Sequence, residues 1–457
     1  MKITAVLLAA GQGTRMKSDL PKMLHLICGK PMLAHSLAAV TQASDEAPVV
    51  IVGHEADQVR ESISGGVRFV IQDQQLGTGH AVLQAESLLK GKTDYVLVTY
   101  GDMPLLQAST LKRLVETQKS NRGPMTMLTV IADDPRGFGR VMRNADGTVS
   151  AIVEEFVATP EQLKVKELNV GAYCFKADWL WDALHRIKVS PKGEYYLTDT
   201  AELAAQDGSP IQAVVCDDIA ETIGINTRVH LAEAESAMRE RINRAHMLNG
   251  VTIINPSVTY IEADVRIGKD TIVLPNTYIQ GKTVIGERNQ IGPNSHIRDA
   301  KIGNDCTVFM SVMEGAEMED HVDIGPFARL RKGAHLGKHV HMGNFGEVKD
   351  SFLGEGVKMG HFSYIGNATI GANTNIGAGT ITCNFDGVNK NPTVIGEDVF
   401  IGSDSMLVAP IKIGDRAKTG AGAVVTKDVP ADMLAVGMPA RSIKKLESKK
   451  PNTKDKK

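Results

Sequence analysis

The sequence predicts two dissimilar folds in one chain. A doubly wound α/β domain spans residues 1–226, a long connecting helix spans 227–250, and a parallel β-helix spans 251–443. Three patterns carry this. Short apolar runs alternate with helical stretches through the first half, the pattern of a mostly parallel sheet with helices on both faces. An aliphatic residue followed by glycine recurs on a six-residue beat through the second half, and such repeats build parallel β-helices. Between them, Arg228–Leu248 contains neither Gly nor Pro and carries Leu231, Ala234, Met238, Ile242 and Ala245 at helical spacing. That is one amphipathic helix, stopped at Asn249-Gly250.

Composition sets outer limits. A chain of 457 residues is too long for one core. A net charge of −2 points to neither a nucleic-acid nor a membrane partner. The five cysteines (28, 174, 216, 306, 383) are scattered, with no CxxC pair. That argues against a disulfide framework or a zinc site, and for a reducing cytoplasm. Met1 runs straight into a strand, and no signal peptide or long apolar span appears, so a soluble cytosolic protein is expected.

In the first domain the predicted strands are Ile3–Ala10, Pro48–Val52, Phe69–Gln72, Tyr95–Thr99, Met125–Ile131 and Asn169–Phe175. The predicted helices are Pro31–Thr41 and Gly79–Leu89. The first strand delivers Gly11-Gln12-Gly13-Thr14-Arg15. Glycines there let backbone N–H groups close on an anion, and Arg15 and Lys22 add fixed positive charge. The spacing is neither GxxxxGK[ST] nor GxGxxG, because position 16 is Met16, and on its own the loop also reads as an ordinary strand-to-helix turn. A second loop, Gln72 to Ala81, follows a strand and opens a helix. Gly77 and Gly79 allow close backbone approach there, and Gln72 and Thr78 can hydrogen-bond a base edge; a plain helix-capping loop is the alternative. Asp102 ends the buried run Val96–Gly101. Such an Asp alone reads as a cap, here before Pro104, but beside a phosphate loop it suits Mg²⁺, which takes oxygen ligands and bridges protein to phosphates.

The full pattern, LAAGQGTRM followed by LPK, resembles the signature of sugar-nucleotide pyrophosphorylases, which join a nucleoside triphosphate to a sugar 1-phosphate on a Rossmann-like domain. The resemblance implies that Leu8, Ala9, Ala10, Gly11, Tyr100 and Gly101 line the nucleotide, that Arg15 and Lys22 steady its phosphates, and that Gln72, Gly77 and Thr78 read the uracil. It implies that Gly139, Glu154 and Asn169 hold the sugar, with Gly193–Asp199 beside that pocket. Asp102 and Asn226 then match a pair of Mg²⁺ ligands. No protein nucleophile is required.

In the second half the pair recurs as Ile285-Gly286, Ile291-Gly292, Ile302-Gly303 and onward to Ile413-Gly414. The aliphatic residue is expected inside and the glycine in the turn. Thr380–Thr393 breaks the beat with polar residues and is predicted to be an extruded loop, where function concentrates. Charged and polar residues, among them Arg329, Arg331, Lys349, His361, Tyr364 and Asn375, are expected outside. Histidine is the natural base near neutral pH, and His361 stands in the most regular coils just before that loop.

Both halves together resemble the bacterial bifunctional N-acetylglucosamine-1-phosphate uridyltransferases/glucosamine-1-phosphate acetyltransferases, over about residues 1–436. The carrying motifs are IGPFARLR (324–331), MGNFGEVK (342–349), GHFSYIG (360–366) and NIGAGTITCNFDG (375–387). The resemblance implies a left-handed β-helix and a homotrimer with sites between subunits. It implies that the second domain acetylates glucosamine 1-phosphate from acetyl-CoA, and that the first joins N-acetylglucosamine 1-phosphate to UTP. The product, UDP-N-acetylglucosamine, would supply peptidoglycan and lipopolysaccharide synthesis. His361 matches the base, and Arg331, Lys349, Tyr364 and Asn375 match the amino-sugar phosphate site. Ala378, Asn384, Phe385, Ser403 and Ala421 match acetyl-CoA contacts, with Arg441 a substitute for a late arginine that has no clear match. Phe385 stands where the family often has Tyr. Two rivals fit less well: a different nucleotidyltransferase whose β-helix only oligomerises or senses a regulator, which His361, Lys349 and the 380–393 loop argue against, and a β-helical scaffold without catalysis, which leaves those interruptions, Asp102 and Asn226 unexplained. The basic tail 444–457 is expected to be disordered.

Overall fold

The computed structural model describes residues 1–53, 56–63 and 65–445; most of the basic tail, 446–457, lies outside the described residues. Met1–Met238 forms one compact unit and Arg239–Lys457 another, so the division falls inside the helix Arg228–Leu248.

The first unit is built on a nine-stranded sheet. Its strands are β1 (Ile3–Ala9), β2 (Val49–Val52), β3 (Arg68–Ile71), β4 (Tyr95–Tyr100), β5 (Met125–Ile131), β6 (Arg140–Arg143), β7 (Val149–Val153), β8 (Glu167–Lys176) and β9 (Ile211–Val215). The order is β9-β5-β8-β4-β1-β2-β3, with the β6–β7 hairpin attached to β8. β1 lies parallel between β2 and β4. The chain therefore leaves β1 toward one side of the sheet and returns to it on the other through β4. Such a reversal opens a crevice at the carboxyl ends of the strands. β1 is buried throughout and apolar but for Thr4, whose hydroxyl bonds Thr93 Oγ1 at 3.1 Å.

Differences from the expected elements are local. The Asn169 strand, β8, runs antiparallel to both β4 and β5, with a register shift between Asn169 and Tyr173. The helix expected over 79–89 is two pieces, Thr78–Leu83 and Glu86–Leu89. They part where the Ala85 N–H bonds back only three residues, to the Val82 carbonyl at 3.0 Å.

The second unit stacks short strands into three parallel sheets of 12, 10 and 9 strands, each coil giving one strand to each sheet; the larger count includes a terminal hairpin, Met433–Gly437 with Ala440–Lys445. This is the parallel β-helix that the hexapeptide beat predicts, of the left-handed class that the family resemblance implies. The aliphatic residues before glycine form its core, Ile285, Ile302, Leu336, Ile370 and Ile401 among them. Most of these glycines are required by close stacking rather than by left-handed backbone, although Gly292 and Gly325 also take positive φ, 98° and 110°. A Cβ on Gly371 would lie 2.5 Å from the Gly396 carbonyl carbon, and one on Gly286 would lie 2.6 Å from the Gly303 oxygen. Many left-handed corners are held instead by Asp270, Asn276, Asn294, Asp305, Asn373 and Asp398, with φ between 51° and 63°. Asn and Asp tolerate that region best after Gly.

Two expectations shift here. Ala245 faces out, and Asn243 lies buried instead, donating to the Pro256 and Thr259 carbonyls at 2.9 and 3.0 Å and so capping the open first coil. The extruded loop is shorter than 380–393. Ile381–Cys383 remains a strand paired with Tyr364 and with Met406–Val408, because the Thr382 hydroxyl accepts the Gly366 N–H at 2.8 Å inside the coil. Thr393 already opens the next strand, so 384–392 is what leaves the coil.

Candidate active sites

In the first unit the predicted nucleotide residues converge on the crevice beyond β1 and β4. Leu8, Ala10, Gly11, Arg15, Lys22, Gln72, Gly77, Thr78, Tyr100 and Asp102 line one cavity of about 460 Å³. Ala9 lines a second of about 250 Å³ that shares Ala10, Gly11 and Lys22 with it. Gly101 ties the two strand ends, its N–H donating to the Leu8 carbonyl at 2.9 Å.

Charge is concentrated at one point. The Lys22 ammonium donates to Asp102 Oδ2 at 2.5 Å and to Asn226 Oδ1 at 2.9 Å. Arg15 Nη2 donates to the same Asn226 oxygen at 2.9 Å. Asp102 and Asn226, the expected metal ligands, are therefore brought together, and both oxygens face one cation. These are hard oxygen donors, and two of them suffice where substrate phosphates and water complete an Mg²⁺ shell. Among the described residues no cluster of three His, Cys, Asp or Glu side chains is arranged to hold a metal ion.

The loop Gln72–Ala81, expected to read the base, is built on backbone strain. Gly77 has φ 97°, and a Cβ there would lie 2.6 Å from the Tyr195 carbonyl oxygen. The Leu197 N–H donates to Thr78 Oγ1 at 2.9 Å, pinning this loop to the 193–199 stretch. Gln72 donates to the Gly77 carbonyl at 3.1 Å and is 3.0 Å from His80 Nδ1.

The sugar-site positions form a neighbouring group. Glu154 accepts from Thr198 Oγ1 at 3.0 Å, and burial holds its carboxyl above the ordinary range. The Asn169 N–H donates to the Gly139 carbonyl at 2.8 Å, and its amide donates to the Tyr173 hydroxyl at 2.7 Å. Gly171, inside the β8 irregularity, packs on the Tyr100 ring, where a Cβ would lie 2.4 Å from Cε2. Burial, aided by Glu154 and Asp102, raises the Tyr100 phenol, so it stays a neutral donor. Nearby, burial with Glu202 and Glu154 pushes Asp199 up to about 6.

Some contacts escaped the sequence reading. Gln75 Nε2 donates to the Ala10 carbonyl at 2.6 Å and lines both cavities. Arg228 donates to the Met16 carbonyl and to His25 Nδ1, each at 3.2 Å, bracing the segment between Arg15 and Lys22 from the start of the long helix. Gln75 stood inside a quoted motif, whereas Arg228 carried no local signal.

In the second unit, one sheet carries Arg331, Lys349 and Tyr364 on successive coils. The Arg331 N–H donates to the Val348 carbonyl at 2.9 Å, and Lys349 pairs with Gly366. Gly366 leaves room for its neighbours: a Cβ there would lie 2.5 Å from the Tyr364 hydroxyl and 2.7 Å from Asn384 Nδ2. Arg331 donates to Glu347 at 2.8 Å, which raises its guanidinium pKa further. His361 is exposed in the turn before Ser363–Gly366, and Asn375 belongs to a different sheet, paired with Lys358 and Phe400. The chain thus gathers Arg331, Lys349, Tyr364 and Asn384 on one face but does not bring Asn375 to them.

Ala378, Ser403 and Ala421 form a ladder of small residues at one corner. Asp404 N–H donates to the Ala378 carbonyl at 2.7 Å, and Gly422 N–H donates to the Ser403 carbonyl at 2.8 Å. Phe385 is exposed on the extruded loop with the Lys390 ammonium 4.3 Å above its ring. Arg441 lies in the last described strand beside Val436, which packs against Gly420.

The MobA-like NTP transferase domain family matches residues 5–145, and the bacterial transferase hexapeptide family (six repeats) matches 264–299 and 392–427. Full-length relatives are close. The chain is 45% identical over 433 residues to the bifunctional protein GlmU of Shouchella clausii, covering 94% of this chain and 95% of that one. It is 48% identical over 434 residues to that of Streptococcus suis (95% and 94%) and 47% over 446 residues to that of a Geobacillus species (97% of each).

Proposed function

The chain belongs to the family of bifunctional GlmU proteins, and on that premise we propose how its two units divide the chemistry. The second unit transfers acetyl from acetyl-CoA to glucosamine 1-phosphate. The first transfers uridylyl from UTP to the resulting N-acetylglucosamine 1-phosphate and releases pyrophosphate. The observation that carries the reading is the convergence of Arg15, Lys22, Asp102 and Asn226 at one end of a cavity whose walls carry Gln72, Gly77 and Thr78.

For uridylyl transfer the chain supplies position and charge. Gln72 and Thr78 orient the base, and Glu154 and Asn169 orient the sugar so that its phosphate oxygen attacks the α-phosphorus in line with departing pyrophosphate. Arg15, Lys22 and loop N–H groups meet the developing charge. Mg²⁺, held by Asp102 and Asn226, supplies further neutralisation of the triphosphate when bound.

For acetyl transfer, Arg331 and Lys349 take the amino-sugar phosphate, with Tyr364 and Asn375 completing that site. His361 removes a proton from the amine as nitrogen attacks the thioester carbonyl, and CoA leaves as the thiolate. The ladder Ala378, Ser403 and Ala421 leaves space for CoA beside Asn384 and Phe385, and Arg441 sits at the end suited to its phosphates. Because Asn375 lies on another sheet, a homotrimer with sites between copies fits this reading, as does a cytoplasmic supply of precursor for peptidoglycan and lipopolysaccharide.

Asp102→Ala is expected to abolish pyrophosphate release while leaving CoA release near normal, and His361→Ala the reverse. Loss of both activities in either folded variant would contradict the division.

A further inference from the structure

The contact between Lys22 and the two metal-ligand candidates has a consequence of its own. Lys22 is only 9% exposed. Its ammonium has given up most of its water, and two oxygens from distant parts of the chain replace it: Asp102 Oδ2 and Asn226 Oδ1. A buried ammonium without such partners is costly, and so is a carboxylate without a cation. The stem is also held. A Cβ on Gly13 would lie 2.6 Å from Lys22 Cβ, so the lysine passes directly beneath the loop that is read as the phosphate cradle. Arg15, on the same loop, reaches the same Asn226 oxygen.

We propose that the Lys22 ammonium is the resident counter-ion of the Asp102–Asn226 oxygen pair. It keeps a free divalent cation out and yields its place only when a nucleoside triphosphate offers it a new anion. This rests on the reading of Asp102 and Asn226 as metal ligands. A divalent cation between those oxygens would stand within a few ångströms of the ammonium, and like charges at that range repel. A lone cation must therefore expel Lys22 from its buried partners with nothing to receive it. A cation arriving with a triphosphate brings the receiver, and the four-carbon stem gives Lys22 the reach to follow. Metal and nucleotide thus bind with positive coupling, and Lys22 carries that coupling.

The test is Mn²⁺ binding to the full-length protein, followed by electron paramagnetic resonance, with and without UTP. The site-specific part is defined as what Asp102→Asn removes. In the wild type, Mn²⁺ alone should bind at least tenfold more weakly than with UTP. Lys22→Met should bind Mn²⁺ alone at least tenfold more tightly than the wild type, and Lys22→Arg, which keeps the charge, should stay weak and report on fold. Equal affinity of Lys22→Met and wild type for Mn²⁺ alone, with UTP still recruiting Asp102-dependent Mn²⁺, overturns this inference and leaves the metal reading standing. Absence of any Asp102-dependent Mn²⁺ with UTP overturns both.

Discussion

At the scale of single residues, the first site depends on positions where only one side-chain size is tolerated. Gly77 combines a left-handed φ of 97° with backbone oxygen 2.6 Å from any added Cβ. With ψ near 180° this conformation is essentially open to glycine alone, and a non-glycine residue there costs about 1–3 kcal/mol in backbone strain before the clash is counted. Gly77→Ala should therefore lower kcat/KM for UTP about tenfold or more while acetyl transfer is unchanged, as steady-state assays of the two reactions would read. Asp199 gives a pH signature. Burial raises its native pKa to about 6 from an ordinary 3.8, so the native state binds its proton more readily than the unfolded chain. Its contribution to stability is full below about pH 4 and is lost as pH rises through 6. Asp199→Asn should be more resistant to urea than the wild type above pH 6, with the gap closing as the pH falls toward 4. A gap that does not change with pH would contradict this.

At the scale of elements, the β-helix is a stack in which one coil fits the next with no spare volume at several glycine corners, Gly371 and Gly286 among them. Gly371→Ala inserts a methyl 2.5 Å from the Gly396 backbone and should destabilise the second unit by about 1–3 kcal/mol, seen in its thermal transition. The 384–392 loop has the opposite character. Asp386 closes its own turn by accepting from Val388 and Asn389 N–H groups at 2.8 and 2.7 Å, so the tip is a self-contained unit. Excising 386–390 and joining the ends should leave the fold intact and cut acetyl transfer. Retained acetylation with normal KM for acetyl-CoA would remove the 386–390 tip from the site. What the sequence made legible follows the range of each signal. The Ile-Gly beat, the strand-terminal Asp102 and the loop Gly11–Arg15 are local patterns, and each lies where its pattern implies. Asn243 and Arg228 were invisible, since each is set by partners outside its own helix: a capping position on the first coil, and the Met16 carbonyl with His25. The glycine turns were legible as positions but not in cause, because stacking between coils is a contact between residues a full coil apart.

At the scale of the whole molecule, the chain divides into two compact units at a point inside one helix, and the residues proposed for the two reactions fall in different units. Lys22 reaches Asp102 and Asn226 across 80 and 204 residues of sequence, yet all three belong to the first unit. Arg331, Lys349, His361, Tyr364 and the small-residue ladder belong to the second. Resemblance of motifs supplied the pairing of Asp102 with Asn226, which no spacing rule would have found. The rival in which the β-helix is a scaffold for a lone pyrophosphorylase differs from the account at one point, acetyl transfer. The most direct measurement is therefore thiol release from acetyl-CoA in the presence of glucosamine 1-phosphate, without UTP, using the purified full-length protein. The account predicts a signal that requires the amino sugar and disappears in His361→Ala. A folded protein that releases pyrophosphate from UTP and N-acetylglucosamine 1-phosphate, yet releases no thiol, would contradict it.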